Sequence, residues 1–312
     1  LGHSKVKITR PPEVGVLATG NEIVCAGKKL QRGQIYDSNT PLLEALIKKT
    51  GACLAWGGSL GLAPADDKLI RVERILNVDP ESQLIASIIA KKLAVGSKYV
   101  LIDIPYGAGA KVSRSEAERL KNKFLIIAKY FDINIKVVLT LGNQPIGNGV
   151  GPVLEIIDVL KVLKRSLNCP KDLERKSIFL AGQLLEMTGE AKKRGGEKVA
   201  QEILESGKAL EKFNEIVRAQ GRKNIKLTPG KFKKTIISLK KGKLEKIDNK
   251  IINILGRKLG CPLDKRAGIY IHKHLGERVG KGDEVITFYA ESIVKLKDAL
   301  SFYKTARPIK IR

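Results

Sequence analysis

The sequence predicts an α/β protein in which an open, mainly parallel sheet with flanking helices is followed by a smaller C-terminal α+β domain. Strand-like and helix-like segments alternate through the first two thirds of the 312 residues. Three amphipathic helices then follow one another, and the last part alternates short strands with helices. Because strands separated by helices favour parallel pairing with crossover connections, the first pattern predicts a parallel sheet.

The first predicted elements are two strands and two helices. The segments "EVGVLA" and "ACLAW" are strand-like, and "TPLLEALIKKTG" between them has helical spacing with Gly51 as its C-terminal stop. A second helix is predicted in "DPESQLIASIIAKK", where Asp79 is the N-cap and Pro80 is the first helical residue.

A glycine-rich turn follows the next strand. Residues Tyr99 to Ile102 predict a strand that is buried on both faces, and "SRSEAERLKNKFLIIAKYF" predicts an amphipathic helix with Ser113 or Ser115 as its cap. The segment "NIKVVLTLG" then supplies another strand, which leads into the glycine run "GNQPIGNGVGP".

The rest of the chain is helical and then mixed. Three helices are predicted in "PVLEIIDVLKVLKRS", "KDLERKSIFLAGQLLEMTG" and "EKVAQEILESGKALEKFNEIVRAQG". Beyond them, "FKKTIISLKKGKLEKI" predicts paired strands, "DNKIINILGRKLG" predicts a helix capped by Asp248, and the tail predicts strand, turn, strand, helix and strand. We therefore expect three regions, at residues 1–50, 51–225 and 226–312.

Composition excludes several classes of protein. No apolar run is long enough to cross a bilayer, and the start of the chain lacks a secretory signal. The four cysteines have no paired short spacing. His272 and His274 alternate on one face of a probable strand, without a cysteine or carboxylate at ligand spacing. We therefore expect no metal site, no disulfide and no membrane partner, and a reduced, cytoplasmic protein.

Basic residues outnumber acidic residues by 58 to 32, which gives a formal net charge of +26. Such an excess raises nucleic acid as a partner, and residues 222–250 are especially rich in lysine. That segment has few aromatic residues on which bases could stack, however, and lysine is also spread through the rest of the chain. We interpret the charge as a solvated, heat-adapted surface and do not expect nucleic acid as the partner.

A line of polar side chains on the second predicted helix is the first candidate site. The polar residues are Asp79, Gln83, Ser87 and Lys91, which lie at successive i, i+4 positions of a helix. Apolar residues cover the other faces of this helix. Polar groups on a mostly buried helix need partners, either from the protein or from a ligand. A structural alternative stays open, in which Asp79 is only an N-cap and Ser87 bonds to its own helix.

The glycine-rich turn is the second candidate site. Gly107, Gly109 and Lys111 lie between the carboxyl end of a strand and the start of a helix. Backbone N–H groups at such a turn can approach an anion closely, and a lysine adds positive charge, so phosphate is the expected ligand. The spacing fits neither the Walker pattern nor the dinucleotide fingerprint, and the motif alone is therefore not specific.

Longer stretches resemble a known family. In colinear order, "GACLAWGGSLGLAPADDKLIRVERILNVDP", "SQLIASIIAKK", "VLIDIPYGAGAKV", "QPIGNGVGPVLE" and "IDNKIIN" resemble segments of the thymidine and pyrimidine-nucleoside phosphorylases, most closely their archaeal AMP phosphorylase branch. The resemblance runs from about residue 51 to residue 312. It implies a pentosyltransferase that splits AMP, or another nucleoside monophosphate, with inorganic phosphate into base and ribose 1,5-bisphosphate. A pyrimidine-nucleoside phosphorylase is the alternative within the family.

The resemblance also implies roles for the two candidate sites. Asp79 would donate a proton to the leaving base, Ser87 and Lys111 would bind the nucleotide, and Lys91 matches a lysine that approaches the base in pyrimidine-specific relatives. An acid near the base lowers the barrier because negative charge develops there while phosphate attacks the opposite face of the sugar. Phosphate is then a co-substrate, no cofactor is expected, and family members form homo-oligomers. We expect these side chains and the glycine turn to form one nucleotide pocket.

Residues 1–50 resemble a different family. The segment "PPEVGVLATGNEIVCAGKKLQRGQIYDSNTPLLEALIKKTGA" is similar to the molybdopterin-binding domain of molybdopterin molybdenumtransferase, with Asn21 in place of the usual aspartate of a "TGDE" turn. The chain therefore looks like a chimera, and a molybdenum-cofactor protein is a second functional hypothesis. Because the phosphate-binding segments that precede this region in the phosphorylases are not matched, we expect impaired phosphorolysis.

Overall fold

The computed structural model describes residues 23–24, 35–36, 49–52, 54, 81–94, 97–223 and 225–312. Asp79, the strand predicted in "EVGVLA" and most of the molybdopterin-like segment lie outside these residues. The chain divides into two compact units. One comprises Leu1–Val100, Asp132–Asn134 and Lys212–Arg222, and the other comprises Leu101–Phe131, Ile135–Glu211 and Lys223–Arg312.

Helices and strands occur throughout the described residues. The helices are α1 (Glu81–Ala94), α2 (Arg114–Tyr130), α3 (Pro152–Leu163), α4 (Lys171–Met187), α5 (Gly196–Glu205), α6 (Lys208–Ala219), α7 (Asn249–Leu259) and α8 (Ile293–Ala306). The strands are β1 (Ile23–Val24), β2 (Ile35–Tyr36), β3 (Tyr99–Tyr106), β4 (Asn134–Leu141), β5 (Gly149–Val150), β6 (Phe232–Ile237), β7 (Gly242–Ile247), β8 (Gly268–Ile271), β9 (Arg278–Val279), β10 (Glu284–Ala290) and β11 (Ile309–Ile311).

The first unit contains β1, β2 and α1. Strands β1 and β2 pair in parallel, with Ile23 opposite Ile35. Helix α1 confirms the helix predicted after Pro80. It buries Ile85 and Ile89 to 3% exposure, as expected of a helix with apolar residues on most of its faces.

Strands β3 and β4 form a parallel pair that is connected by α2. The N–H of Asn134 donates to Lys98 O at 3.0 Å, and the N–H of Gly142 donates to Tyr106 O at 2.8 Å. Because both bonds join residues with the same sequence separation, the strands run in the same direction. The prediction that β3 is buried on both faces is wrong: burial alternates along the strand, and Tyr99 is 44% exposed. In β3, every second side chain from Val100 to Ile104 is buried, as expected of a strand that packs one face against the core.

Helix α2 begins where the sequence predicts. Ser113 is its N-cap, and the Ser113 hydroxyl accepts from the N–H of Glu116 at 3.3 Å. The Glu116 carboxylate in turn accepts from the N–H of Ser113 at 2.7 Å, which completes a capping box. Of the two serines proposed as caps, Ser113 is therefore confirmed.

The predicted succession of helices is confirmed with one correction. Helices α3 and α4 match the first two predicted segments, but the third segment forms two helices, α5 and α6. The break comes at Gly207, which has a φ of 79°. A left-handed residue cannot continue a right-handed helix, so the amphipathic pattern resumes in a new helix after the turn.

The C-terminal region is built on two antiparallel sheets. Strand order is β5-β8-β10-β6 in one sheet and β11-β7-β9 in the other. The prediction that β6 and β7 pair with each other is wrong, because β6 pairs with β10 whereas β7 pairs with β11 and β9. Backbone bonds between Ser238 and the turn at Gly282 and Asp283 hold the end of β6 beside β10. The two strands are thus directed into different sheets.

One apolar core joins these two sheets to α7 and α8. Its members include Leu255 and Leu259 of α7 and Ile269, Ile286 and Phe288 of the larger sheet, all of them 0% exposed. The predicted helix in "DNKIINILGRKLG" is confirmed. The tail contains the predicted strands and helix, but one further short strand, β9, lies between β8 and β10.

The predicted mixed α/β architecture is confirmed. In the part of the chain that the structure describes, parallel pairing is limited to β1 with β2 and β3 with β4, and the largest sheet is antiparallel. No helix among these residues is both long enough and apolar enough to cross a membrane.

We expect Leu255→Ala to lower the free energy of unfolding by about 2–5 kcal/mol, because it removes a fully buried side chain and leaves a cavity. Ile254→Ala is the matched control, since Ile254 lies in the same helix but is 43% exposed, and we expect it to change stability by about 0.5 kcal/mol or less. Urea-induced unfolding followed by circular dichroism measures both. Equal effects of the two variants would contradict this core assignment.

A buried carboxylate connects the start of α4 to the end of α3. The side chain of Glu174 is 9% exposed and accepts from Lys171 at 2.9 Å, from the Cys169 thiol at 3.2 Å and from Arg165. Burial raises the pKa of Glu174, but the bonds from Lys171, Cys169 and Arg165 outweigh it and lower the pKa from 4.5 to about 2. The ionised form of Glu174 therefore stabilises the fold.

This depressed pKa predicts a pH dependence of stability. The contribution of Glu174 is present above about pH 4.5 and is lost as the pH falls toward 2, by up to about 3 kcal/mol. In Glu174→Gln, the free energy of unfolding should therefore fall less over this pH interval than in the wild type. Urea unfolding at a series of pH values measures this, with the exposed Glu197→Gln as the control. A Glu174→Gln profile parallel to the wild-type profile would refute the assignment.

Candidate functional site

The glycine-rich turn between β3 and α2 is compact. The N–H of Gly107 donates to Val112 O at 3.1 Å, and the N–H of Ala110 donates to Gly107 O at 3.0 Å. Gly107 has a φ of 128°, which an L-amino acid with a side chain rarely adopts. The turn is therefore closed by its own backbone and depends on glycine at its first position.

Asn143 holds the turn from the end of β4. Its Oδ1 atom accepts from the N–H of Ala108 at 3.2 Å. A Cβ atom at Gly107 would collide with the same Asn143 amide group. Glycine is thus required at position 107 both by the backbone conformation and by the close approach of Asn143.

Asn249, the first residue of α7, holds the turn from a second direction. Its Nδ2 atom donates to Gly109 O at 2.9 Å and to Gly142 O at 3.0 Å. A Cβ atom at Gly109 would lie 2.7 Å from the same nitrogen. One side-chain amide therefore connects the glycine turn to the residue that follows β4, and this contact leaves no room for a side chain at position 109.

Asp248 fixes the start of the helix that carries Asn249. Its carboxylate accepts from the N–H of Ile251 at 3.2 Å and lies 3.1 Å from Lys246 Nζ. Burial raises the pKa of Asp248, but these bonds and that of the Lys250 N–H outweigh it, so that the pKa is lowered. Asp248 is therefore an ionised N-cap, as predicted.

The turn has a smaller capacity for anions than its sequence suggests. The N–H groups of Gly107, Ala108 and Ala110 already donate to protein acceptors. The capping box of Ser113 and Glu116 likewise engages the start of α2. Lys111 is exposed at the edge of the turn. What the turn offers a ligand is therefore mainly the position of Lys111 and its remaining backbone groups, not an empty ring of donors.

An ion pair supports the two parallel strands near the turn. Lys176 Nζ lies 2.6 Å from Asp103 Oδ2 and donates to Thr140 Oγ1 at 3.0 Å. The Thr140 hydroxyl donates to Asp103 Oδ1 at 2.7 Å. The three side chains satisfy one another and connect β3, β4 and α4, with Lys176 and Asp103 each about one fifth exposed.

A cavity whose lining combines polar and apolar side chains adjoins the end of β4. It has a volume of about 470 Å³, and its lining includes Asn143, Gln144, Arg175 and Lys176. Another cavity, of about 420 Å³ among α3 to α6, is lined almost entirely by aliphatic side chains. A charged ligand needs polar partners, so the chemistry of the lining favours the first cavity. Asn143 belongs both to this cavity and to the contact with the glycine turn.

Two carboxylates accept hydrogen bonds from the glycine run after β4. Asp158, which is 1% exposed, accepts from the N–H groups of Asn148 at 2.7 Å and Gly149 at 2.6 Å. Asp172 accepts from the N–H of Gly147 at 3.0 Å. The run that begins at the end of β4 is therefore held in one conformation by side chains of α3 and α4.

The polar residues predicted on α1 lie in the first unit. Ser87 is 9% exposed, and Lys91 Nζ donates to its hydroxyl at 3.5 Å, a long contact between neighbours on one helix face. Lys111 and the two turn glycines belong to the second unit. A shared nucleotide pocket for both sets of residues stays a prediction, and so does the catalytic role of Asp79.

The two histidines do not share a strand face, because β8 ends at Ile271. His272 Nε2 lies 2.8 Å from Thr287 Oγ1, and His274 Nε2 lies 2.8 Å from Asn148 Oδ1. Burial lowers the pKa of His272, although Glu284 opposes this effect. Among the residues that the structure describes, no group of three histidine, cysteine or acidic side chains could hold a metal ion.

The sequence did not indicate Asn143 and Asn249 as candidate site residues. Asn143 follows the carboxyl end of β4, where polar side chains of parallel sheets often contact ligands, and this position was a usable signal. Asn249 lies 140 residues from Gly109. Its local pattern indicates only the start of a helix, so the contact with the turn depends entirely on tertiary structure.

We expect Lys176→Met to lower the free energy of unfolding by about 1–3 kcal/mol, since it leaves the carboxylate of Asp103 without its cation. The exposed Lys193→Met is the control and should have little effect. The double variant Asp103→Asn with Lys176→Met should recover part of the loss, because no unpaired charge remains. Additive losses in thermal or urea unfolding would contradict the coupling.

Comparison with known proteins relates this geometry to a family. A family model described as the pyrimidine nucleoside phosphorylase C-terminal domain matches residues 243–310, which include Asn249. The chain is 46% identical over 273 residues to an AMP phosphorylase of Methanococcus aeolicus, 46% over 274 residues to one of Pyrococcus horikoshii, and 41% over 273 residues to one of Methanococcus maripaludis.

Each of these alignments covers 86% of this chain and 54% of the relative. The chain therefore spans about half the length of the curated relatives that it matches. The matches confirm the phosphorylase resemblance, whereas they give no support to the molybdopterin resemblance of residues 1–50. Over most of its length the chain is similar to part of an AMP phosphorylase, and its residues 243–310 match the family model of the pyrimidine nucleoside phosphorylase C-terminal domain.

Proposed function

We propose that the protein is a nucleotide phosphorylase, which converts AMP and inorganic phosphate into adenine and ribose 1,5-bisphosphate. The observation that carries the proposal is the 46% identity to AMP phosphorylases over 86% of the chain. The second unit adds physical support, because Asn143 holds the glycine turn that carries Lys111 and also lines the cavity at the carboxyl end of β4.

The proposed roles belong to the residues that the sequence indicates as candidate site residues. Asp79 protonates the leaving base, Ser87 and Lys111 bind the nucleotide, and Lys91 approaches the base. Gly107 and Gly109 allow the turn backbone to approach the ligand closely. Phosphate is the co-substrate, and the proposal requires no cofactor or metal.

The proposed chemistry sets a requirement for Asp79. Cleavage of the N-glycosidic bond leaves electron density on the base, so proton transfer from a nearby acid lowers the barrier. At the start of a helix the macrodipole favours the ionised carboxylate, and an acid catalyst at this position needs an apolar neighbour or a phosphate dianion to keep its proton.

The proposal extends to architecture and assembly. We infer that the parallel pairing of β3 with β4 continues into an open sheet within residues 51–225, and that residues 226–312 form a smaller α+β domain. A cytoplasmic location and homo-oligomeric assembly belong to the same proposal. The molybdopterin-binding role of residues 1–50 stays a prediction from the sequence.

A pyrimidine-nucleoside phosphorylase is the second candidate. The observation that favours it is the description of the domain that matches residues 243–310. The two candidates differ in substrate, since one requires the 5′-phosphate of a nucleotide and the other acts on uridine or thymidine.

The test is to incubate the chain with AMP in the presence and absence of phosphate and to quantify adenine and ribose 1,5-bisphosphate. We expect adenine release that requires phosphate, and we expect Asp79→Asn to reduce the rate by about 10²-fold or more, as for loss of a general acid. Asp132→Asn is a control, because Asp132 is exposed and has a φ of 51° that asparagine tolerates.

Three results would count against the proposal. Adenine release at the same rate without phosphate would indicate a hydrolase. Faster cleavage of uridine or thymidine than of AMP would favour the second candidate. Absence of both AMP binding, measured by calorimetry, and adenine release would remove the assignment for this chain.

A further inference from the structure

We infer that Asn249 is a positioning residue for nucleotide binding: its side-chain amide fixes the glycine turn that carries Lys111. The functional part of this inference rests on the proposed function. The structural part does not, because it concerns the conformation of the turn in the free protein.

The contact is a bridge between two backbone segments. The Nδ2 atom of Asn249 has two hydrogen atoms to donate, and two carbonyl oxygens lie within hydrogen-bond distance, at 2.9 Å for Gly109 and 3.0 Å for Gly142. Two acceptors on one side define the orientation of the amide, since its oxygen would be repelled by both of them. The bridge therefore uses the full donor capacity of the nitrogen.

The oxygen of the Asn249 amide makes no hydrogen bond, so the two bonds of the nitrogen are the hydrogen bonds that this side chain contributes. The Oδ1 atom of Asn249 is shielded from solvent and has no hydrogen-bond partner. An unpaired polar atom of this kind is unfavourable, so the two bonds of the nitrogen must offset its cost.

The base of the bridge is rigid. Asn249 is the first residue of α7, which the Asp248 N-cap fixes at its start. Ile252, Leu255 and Leu259 of the same helix are buried in the C-terminal core with 2% exposure or less. The position of the Asn249 amide is thus fixed by the N-cap and the core contacts of α7, which do not involve the turn.

The two asparagines act on different parts of the turn. Asn143 engages Ala108, whereas Asn249 engages Gly109, two residues before Lys111. Without the Asn249 amide, Gly109 and Gly142 both lose a donor, while Asn143 still holds the turn at Ala108, one residue earlier. We therefore expect the backbone at Gly109 to become more mobile, which alters the position of Lys111 and weakens binding of the nucleotide.

The experiment compares four variants of the full chain. Asn249→Ala removes the bridge, and Asn249→Asp keeps the shape of the side chain while placing an acceptor against two carbonyls. Asn253→Ala is the matched control, as an exposed asparagine of the same helix. Leu255→Ala destabilises the same domain without contacting the turn, and it separates a positioning effect from a general loss of stability.

Two quantities are measured for each variant. Hydrogen exchange by NMR reports on the amides of Gly107 and Ala110, whose bonds close the turn, and on amides of β10 as a check on the core. Calorimetry gives the dissociation constant for AMP. In Asn249→Ala and Asn249→Asp we expect turn exchange to rise by about tenfold or more and AMP affinity to fall about five- to tenfold, with β10 exchange little changed.

The outcomes separate the inference from the proposed function. Unchanged turn exchange in both Asn249 variants would overturn the inference, as would the same turn exchange in Leu255→Ala. Faster turn exchange with unchanged AMP affinity would overturn the link to nucleotide binding. Faster turn exchange in a protein whose wild type does not bind AMP would leave the bridge established and would remove the proposed function.

Discussion

The structure of the candidate site depends on one constraint: the carbonyls of Gly109 and Gly142 share the amide nitrogen of Asn249. This nitrogen fixes the distance between the glycine turn and the end of β4, and Asn143 fixes the same turn at Ala108. Both turn glycines are explained by these two amides, because a side chain at either position would meet an asparagine. The conformation of the turn is therefore set by contacts from outside it as much as by its own backbone.

Local signals in the sequence predicted local structure well. The alternative caps Ser113 and Ser115, and Asp248 with the apolar spacing of α7, each indicated the start of a helix, because capping depends on residues only a few positions apart. The structure selects Ser113 through its capping box with Glu116. Predictions that depended on distant partners were less successful. The pairing of β6 with β10 is decided by bonds at Ser238 and by a shared core, and neither feature appears in the spacing of the residues.

In the candidate site, too, local features could be predicted from the sequence and contacts between distant residues could not. Gly107, Gly109 and Lys111 could be selected from the sequence because a glycine-rich turn after a strand has a recognisable pattern. The engagement of three turn N–H groups by the protein could not be anticipated, and it changes the chemistry: the turn positions a lysine more than it forms a nest of free donors. Asn249 lies within residues 243–310, so the matched C-terminal domain contributes a contact to the turn in addition to its own core.

The proposed function requires that the glycine turn contacts the nucleotide. The most direct measurement is hydrogen exchange of the wild-type chain with and without saturating AMP, resolved to the amides of residues 107–112. The account predicts slower exchange at these amides when AMP is bound, with unchanged exchange in the antiparallel strands of the C-terminal core. Binding of AMP that leaves residues 107–112 unaffected would contradict it.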